Sequence, residues 1–312
     1  MLINLLPDFF AVLESTDRLA AYERYFTAHQ RVLGPYWNNY IVPPEGGHFR
    51  DILRTTMAAD RADLQTMLER VDVVSVARRI EETCVRLLDA DVDFDIVLMV
   101  GVGGANAGEL VVNGRGAAFI CVEHFTGVVN PDTFSLGLDP ELIGLWLAHE
   151  IAHVIRYTSP ASRSDFHSLV EETREYSFWD TGRRIALREL LLNEGLAVHA
   201  SRLVSPGHAA WEYFGYTRRQ YARIRQLEPV LYHAAEPDFN RSALGLRMQY
   251  LSDGMNEHAR IAGRVVLPER SGYYLGACLS EGAITTHGLP WSLRASAFEI
   301  LALSTRISAT AS

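Results

Sequence analysis

His149 and His153 stand four residues apart with Glu150 beside the first, in the segment His149-Glu150-Ile151-Ala152-His153. On a helix this spacing leaves the two imidazoles about 40° apart around the axis, so both can reach one metal ion. Glu150 flanks the same face. Zinc takes nitrogen, sulfur or oxygen donors at about 2 Å, and its catalytic sites use three protein ligands with one position open. The segment thus offers two ligands of three, together with a general base for a hydrolytic reaction.

The neighbouring residues predict the helix that the spacing requires. Asp139-Pro140-Glu141 reads as a helix start, with a capping carboxylate, proline at the first position and an acid in the first turn. Leu142, Ile143, Leu145, Trp146, Leu147, Ile151, Val154 and Ile155 make it apolar around most of its circumference, the mark of a buried helix. Arg156, Tyr157 and Ser159-Pro160 close it. Two histidines and a glutamate are costly to bury unpartnered, and one metal ion satisfies all three. The alternative is a pair of core histidines, each satisfied by a backbone carbonyl.

A second helix is predicted over Arg183–Val204, and it contains Asn193-Glu194-Gly195-Leu196-Ala197. Glu194 lies in an apolar run from Leu190 to Val198, where an unpaired charge is expensive. It is the leading candidate for the third ligand. Gly195 beside it lets a neighbouring backbone approach closely. His199 falls on another face and reads as structural or supporting. His167, Asp165, Glu171 and Glu172 are rival ligands, set in what reads as a solvated loop and a polar helix. A longer zinc motif, needing Gly at 156 and His at 159, is excluded by Arg156 and Ser159.

H-E-x-x-H followed by a helix bearing N-E-G-L-A resembles the gluzincin group of zinc peptidases. More narrowly, it is similar to a bacterial family of predicted zinc-dependent proteases in which the glutamate helix follows a long insertion. Gly272-Tyr273-Tyr274-Leu275-Gly276 adds to the likeness, which spans roughly residues 95 to 280. The resemblance implies an α+β, zincin-like fold: a small mixed sheet packed on the His149–His153 helix, with mainly helical N- and C-terminal parts. It implies one Zn²⁺ on His149, His153 and Glu194, with Glu150 as the base that activates water. It also implies a tyrosine that donates to the oxyanion, Tyr273 ahead of Tyr274; His258 and His287 are further candidates. Sheets of this kind pair an edge strand with extended substrate, and Ala117–Glu123 is the candidate edge.

The chain as a whole has 312 residues, 48% apolar and 21% charged, ordinary for a globular protein. A net charge of −9 argues against nucleic acid or an anionic membrane as the main partner. Cys84, Cys121 and Cys278 are few, odd in number and far apart, so no disulfide framework is expected and a reducing, cytoplasmic setting fits. The opening MLINLLPDFFAVLESTDR has no basic start and carries Asp8, unlike a secretory leader. No run approaches the roughly 18 apolar residues of a membrane span.

Residues 15–33 and 51–89 show helical periodicity, whereas Asp95–Val100 and Ala117–Glu123 read as strands. Between those strands, Gly101-Val102-Gly103-Gly104-Ala105-Asn106-Ala107-Gly108 is not a dinucleotide fingerprint, because strand and turn follow it where a helix is required. The expected organisation is a helical region 1–92, a zincin-like core 93–205 and a helical lobe 206–312, with the site in the cleft between lobes. The glycines, Asn106 and Arg115 are candidates to line that cleft, Arg115 toward a substrate carboxylate; a solvated turn is the plainer reading. The leading function is a zinc hydrolase cleaving peptides or small amides. The alternatives are a hydrolase of the same design acting on a non-peptide metabolite, and a non-catalytic metal-binding protein.

Overall fold

The apolar run at 94–99 is buried along its whole length because it becomes an inner strand of a four-stranded sheet. This computed structural model describes residues 1–44, 47–254, 256–262 and 264–304. The strands are β1 (Leu2–Asn4), β2 (Phe94–Met99), β3 (Ala107–Val112) and β4 (Arg115–Cys121), in the spatial order β1-β2-β4-β3. β1, β2 and β4 run parallel, with Leu2 opposite Ile96 and Ile96 opposite Ala118; β3 runs antiparallel to β4, with Glu109 opposite Ala118. The molecule is therefore α+β with a small mixed sheet.

Two strand expectations are corrected here. The stretch 117–123 is not an edge: β4 lies between β2 and β3, and Val122–Phe125 turns away as a 3-10 helix. The cause is Asn113-Gly114, with φ of 54° and 79°, a left-handed pair that folds a tight hairpin and puts β3 outermost. The opening residues, read with the helical region, supply β1 instead.

Helices precede and flank the sheet. α1 (Leu6–Glu14), α2 (Arg18–Ala28), α3 (Gln30–Tyr40), α4 (His48–Ala58), α5 (Ala62–Arg70) and α6 (Val73–Leu87) replace the two long helical stretches read from periodicity. Local capping sets the breaks: Asp17 accepts from the Ala20 amide and Asp72 from the Ser75 amide, both at 3.0 Å. A two-stranded hairpin, β5 (Val129–Asn130) and β6 (Ser135–Leu136), leads into the metal-motif helix.

That helix begins as read. Asp139 accepts from the Glu141 amide at 2.9 Å and caps a 3-10 turn, which runs into α7 (Ile143–Thr158), buried from Ile143 to Tyr157. α7 packs on β3 and β4, so closely at Gly116 that a methyl group there would lie 2.4 Å from Val154 Cγ1. On the other face of β4, Phe119 meets Tyr36 and Tyr40 of α3 edge-on.

After α8 (Asp165–Thr173) come α9 (Phe178–Arg184) and α10 (Leu187–Val204). The single helix expected over 183–204 is thus two, split by an extended Ile185-Ala186. A distant segment makes the break possible: the Leu187 and Arg188 amides, which open α10, donate to the carbonyls of Arg241 and Phe239 at 2.9 and 3.1 Å. The remaining elements are α11 (Arg218–Gln226), α12 (Glu228–Ala235), α13 (Leu244–Leu251), the hairpin β7 (Ile261–Ala262) and β8 (Val265–Val266), α14 (Ser271–His287), α15 (Leu289–Arg294) and α16 (Ala297–Ala302). Buried apolar side chains from Leu5 to Ile300 form one continuous cluster. Among the described residues, no helix is long and apolar enough to cross a membrane.

Candidate metal centre

α7 and α10 bring three donor atoms together. Glu194 Oε2 lies 3.2 Å from His149 Nε2 and 3.5 Å from His153 Nε2. Donors at about 2.0–2.1 Å around a tetrahedral zinc ion stand about 3.3 Å from one another; the two separations from Glu194 match that, and all three donor atoms lie within 4.8 Å of one another. The donor set, two imidazoles and one carboxylate, is also one that zinc accepts. The ligand atoms are enclosed, with residue exposures of 2% for His149, 3% for His153 and 8% for Glu194.

The three groups shift one another's charge. Burial disfavours a proton on His153, but the Glu194 carboxylate outweighs it and lifts the imidazole to about 9. Burial likewise penalises the Glu194 carboxylate, yet the two histidines hold it well below its ordinary value. His149 is lowered by burial, and the charge on His153 adds to this. A proton on His153 thus stands where a cation would bring more charge.

Glu150, 5% exposed, lines the cleft beside the cluster. Burial and the neighbouring Glu109 carboxylate push it well above the usual carboxylate range. Glu109 comes from β3 and is held by two tyrosines: Tyr157 Oη donates to its Oε1 at 3.2 Å, and Tyr40 Oη stands 3.1 Å from its Oε2. Asn193, next to Glu194, donates to Tyr157 Oη at 2.9 Å. Glu109 of β3, Tyr157 of α7 and Asn193 of α10 are therefore joined in one hydrogen-bonded chain, with Glu194 next to Asn193 in sequence. Sequence reasoning missed Glu109, Tyr40 and Tyr157. A carboxylate inside the apolar run AGELVV was the available signal, the same one that singles out Glu194.

α14 supplies the opposite wall. The Tyr273 ring lies nearly parallel to that of His149 with centroids 6.0 Å apart, and burial followed by the charge of Glu194 keeps its hydroxyl protonated far above the ordinary tyrosine value. Tyr274 is turned elsewhere, its hydroxyl on Glu228 at 2.6 Å. The cleft between β3, α7, α10 and α14 has a volume of about 370 Å³. Arg270, also missed from sequence, lines it with its guanidinium over the Tyr273 ring, 4.3 Å from the centroid.

The other candidates fall outside this group. His199 Nε2 bonds the Ala277 carbonyl at 3.0 Å, joining α10 to α14. His167 Nδ1 bonds Tyr157 O at 3.0 Å; Asp165 is exposed; Glu171 and Glu172 pair with Arg174 and Arg184 on the surface. Arg115 is not a cleft residue: it lies outside the lining, with its Nη2 and Nε donating to Asp95 at 2.7 and 3.0 Å. His258 and His287 are exposed, His287 lying against Trp291. Gly104, Asn106 and Gly108 do line the cleft, and the buried Asn106 Nδ2 has no partner among the described residues. No family model, curated protein or solved structure matches the chain.

Proposed function

We propose that this protein is a zinc-dependent hydrolase that cleaves amide bonds in peptides or small amides, built in the manner of the gluzincin peptidases it resembles. The observation that carries this reading is Glu150, a buried carboxylate opening into the same cleft as the His149, His153 and Glu194 donors. A purely structural ion has no use for such a group, which speaks against a non-catalytic metal protein.

His149, His153 and Glu194 would hold the ion. A divalent cation there supplies Lewis-acid polarisation of a carbonyl and acidifies a water toward neutral pH. Glu150, which a cation on the adjacent donors would return to its ionised form, takes the proton from the attacking water and passes it to the leaving nitrogen; a C–O bond forms, the C–N bond breaks, and the products are an acid and an amine. Glu109, fixed by Tyr40 and Tyr157, is the neighbouring carboxyl that favours a proton on Glu150 once it has taken one. Tyr273, protonated throughout the working range, donates to the developing oxyanion.

The test is Glu150→Gln, assayed for zinc content and for turnover on a library of peptides and amides. The expected result is unchanged zinc and a rate lower by about 10²–10⁴-fold. Equal turnover by the two proteins removes Glu150 from the mechanism.

A further inference from the structure

β3 is the sheet edge beside the cleft, and half of its outward backbone groups are taken. The Glu109 amide donates to Tyr40 Oη at 3.1 Å, and that hydroxyl lies 2.9 Å from the Glu109 carbonyl oxygen. Two residues on, the Val111 carbonyl accepts from the Tyr176 amide at 3.1 Å. Alternate residues of an antiparallel edge strand turn outward, so Glu109 and Val111 are the positions that an added strand would use. Among the described residues the Val111 amide and both groups of Ala107 are left. An extended polypeptide therefore finds no unbroken edge on β3 to pair with.

The space matches a small ligand. About 370 Å³ is near the lower end of the roughly 300–1,000 Å³ of small-molecule clefts. Within it, the Arg270 guanidinium lies 4.3 Å from the Tyr273 ring centroid and 5.7 Å from that of Trp146. Both rings neighbour His149, with centroids 6.0 and 5.5 Å away. Among the described residues no carboxylate forms an ion pair with Arg270; Asp253, exposed at the rim, acts on it only from farther off. A guanidinium fork packed against aromatic faces and lacking an acid partner is suited to a carboxylate brought in by a ligand.

We propose that the substrate is a short amide bearing a free carboxylate, such as a small peptide or an N-acylated amino acid, and that Arg270 receives that carboxylate beside the His149–His153–Glu194 cluster. This narrows the amide-hydrolase reading and rests on it. Hydrolysis of such a substrate consumes only water.

The experiment uses the full chain carrying Glu150→Gln, supplied with zinc, so that ligand is bound without being consumed. Calorimetry compares an N-acetyl dipeptide with its C-terminal amide, and with a longer peptide blocked at both ends. The free acid should bind about tenfold or more tighter than either. Adding Arg270→Gln should abolish the preference, and Arg270→Lys should keep part of it. Equal binding of acid and amide overturns the proposal, as does a preference that survives Arg270→Gln, since the carboxylate would then sit elsewhere. Should Arg270→Gln fail to fold by circular dichroism, the comparison of acid, amide and blocked peptide decides on its own. Tight, Arg270-dependent binding of the acid combined with no turnover by wild type would sink the hydrolase reading and leave the carboxylate position standing.

Discussion

Gly195 of α10 and Gly276 of α14 pass so closely that a methyl group on Gly195 would lie 2.0 Å from the Gly276 carbonyl carbon. The same approach seen from the other side puts a methyl on Gly276 at 1.8 Å from the Leu191 carbonyl oxygen. Glu194 is one residue from this crossing and Tyr273 one helical turn from it, so the crossing sets the width of the cleft. Gly195→Ala must push the helices apart, and overpacking of this kind costs about 1–3 kcal/mol. Denaturant unfolding should show that loss together with weaker zinc binding; wild-type stability would refute the close crossing.

Glu194→Ala should empty the metal centre. With one of three donors gone, zinc content measured on the purified protein should fall from about one per chain to a small fraction of that. The helical fold should persist by circular dichroism, since α10 keeps its apolar contacts. Full zinc occupancy in this variant would mean that another group is the third ligand.

Zinc uptake should release a proton. In the metal-free chain His153 titrates at about 9, so at neutral pH it is protonated and the proton must leave before the nitrogen can bind a cation. Glu194 is already ionised, and His149 is lowered toward its neutral form, so neither adds a second proton. Apparent affinity should therefore rise about tenfold per pH unit up to about pH 9 and level off above it. Calorimetry in buffers of different ionisation enthalpy reads the proton directly, and binding without proton release would contradict the pairing of His153 with Glu194.

Arg156 is the buried tie between α7 and the C-terminal helices. Its Nε and Nη2 reach Glu189 Oε1 at 3.1 and 2.6 Å, while Nη1 donates to the carbonyls of Leu293 and Ala295 at 2.9 and 3.0 Å. Removing one member of a buried ion pair leaves the other uncompensated, at a cost of about 3–5 kcal/mol. Glu189→Gln should lower the unfolding free energy by that order, and replacing both residues with apolar side chains of similar volume should recover much of it.

α7 is legible in the sequence because its signals are local: a capping Asp139, an apolar circumference and two histidines at helical spacing. Glu194 is legible for a related reason, a charge stranded in an apolar run. Gly195 signals close approach, though nothing nearby names Gly276 as its partner. What escapes reading depends on distant segments. The strand and turn at 109–114 are readable locally, but that β3 ends outermost depends on β2 pairing with the other side of β4. The break before Leu187 depends on carbonyls some fifty residues later, at Phe239 and Arg241. Arg270 and Tyr40 look like any arginine and tyrosine until α14 and α3 are seen converging on the same cleft.

An uncovered strand edge is a template on which another chain's backbone can assemble, and folded proteins polymerise through such edges. β3 is almost wholly buried and apolar apart from Glu109, the composition most prone to that fate. By seating its hydroxyl on the Glu109 amide and carbonyl, Tyr40 withdraws the template as well as shaping the cleft. One phenol oxygen thus denies an added strand both outward groups of Glu109.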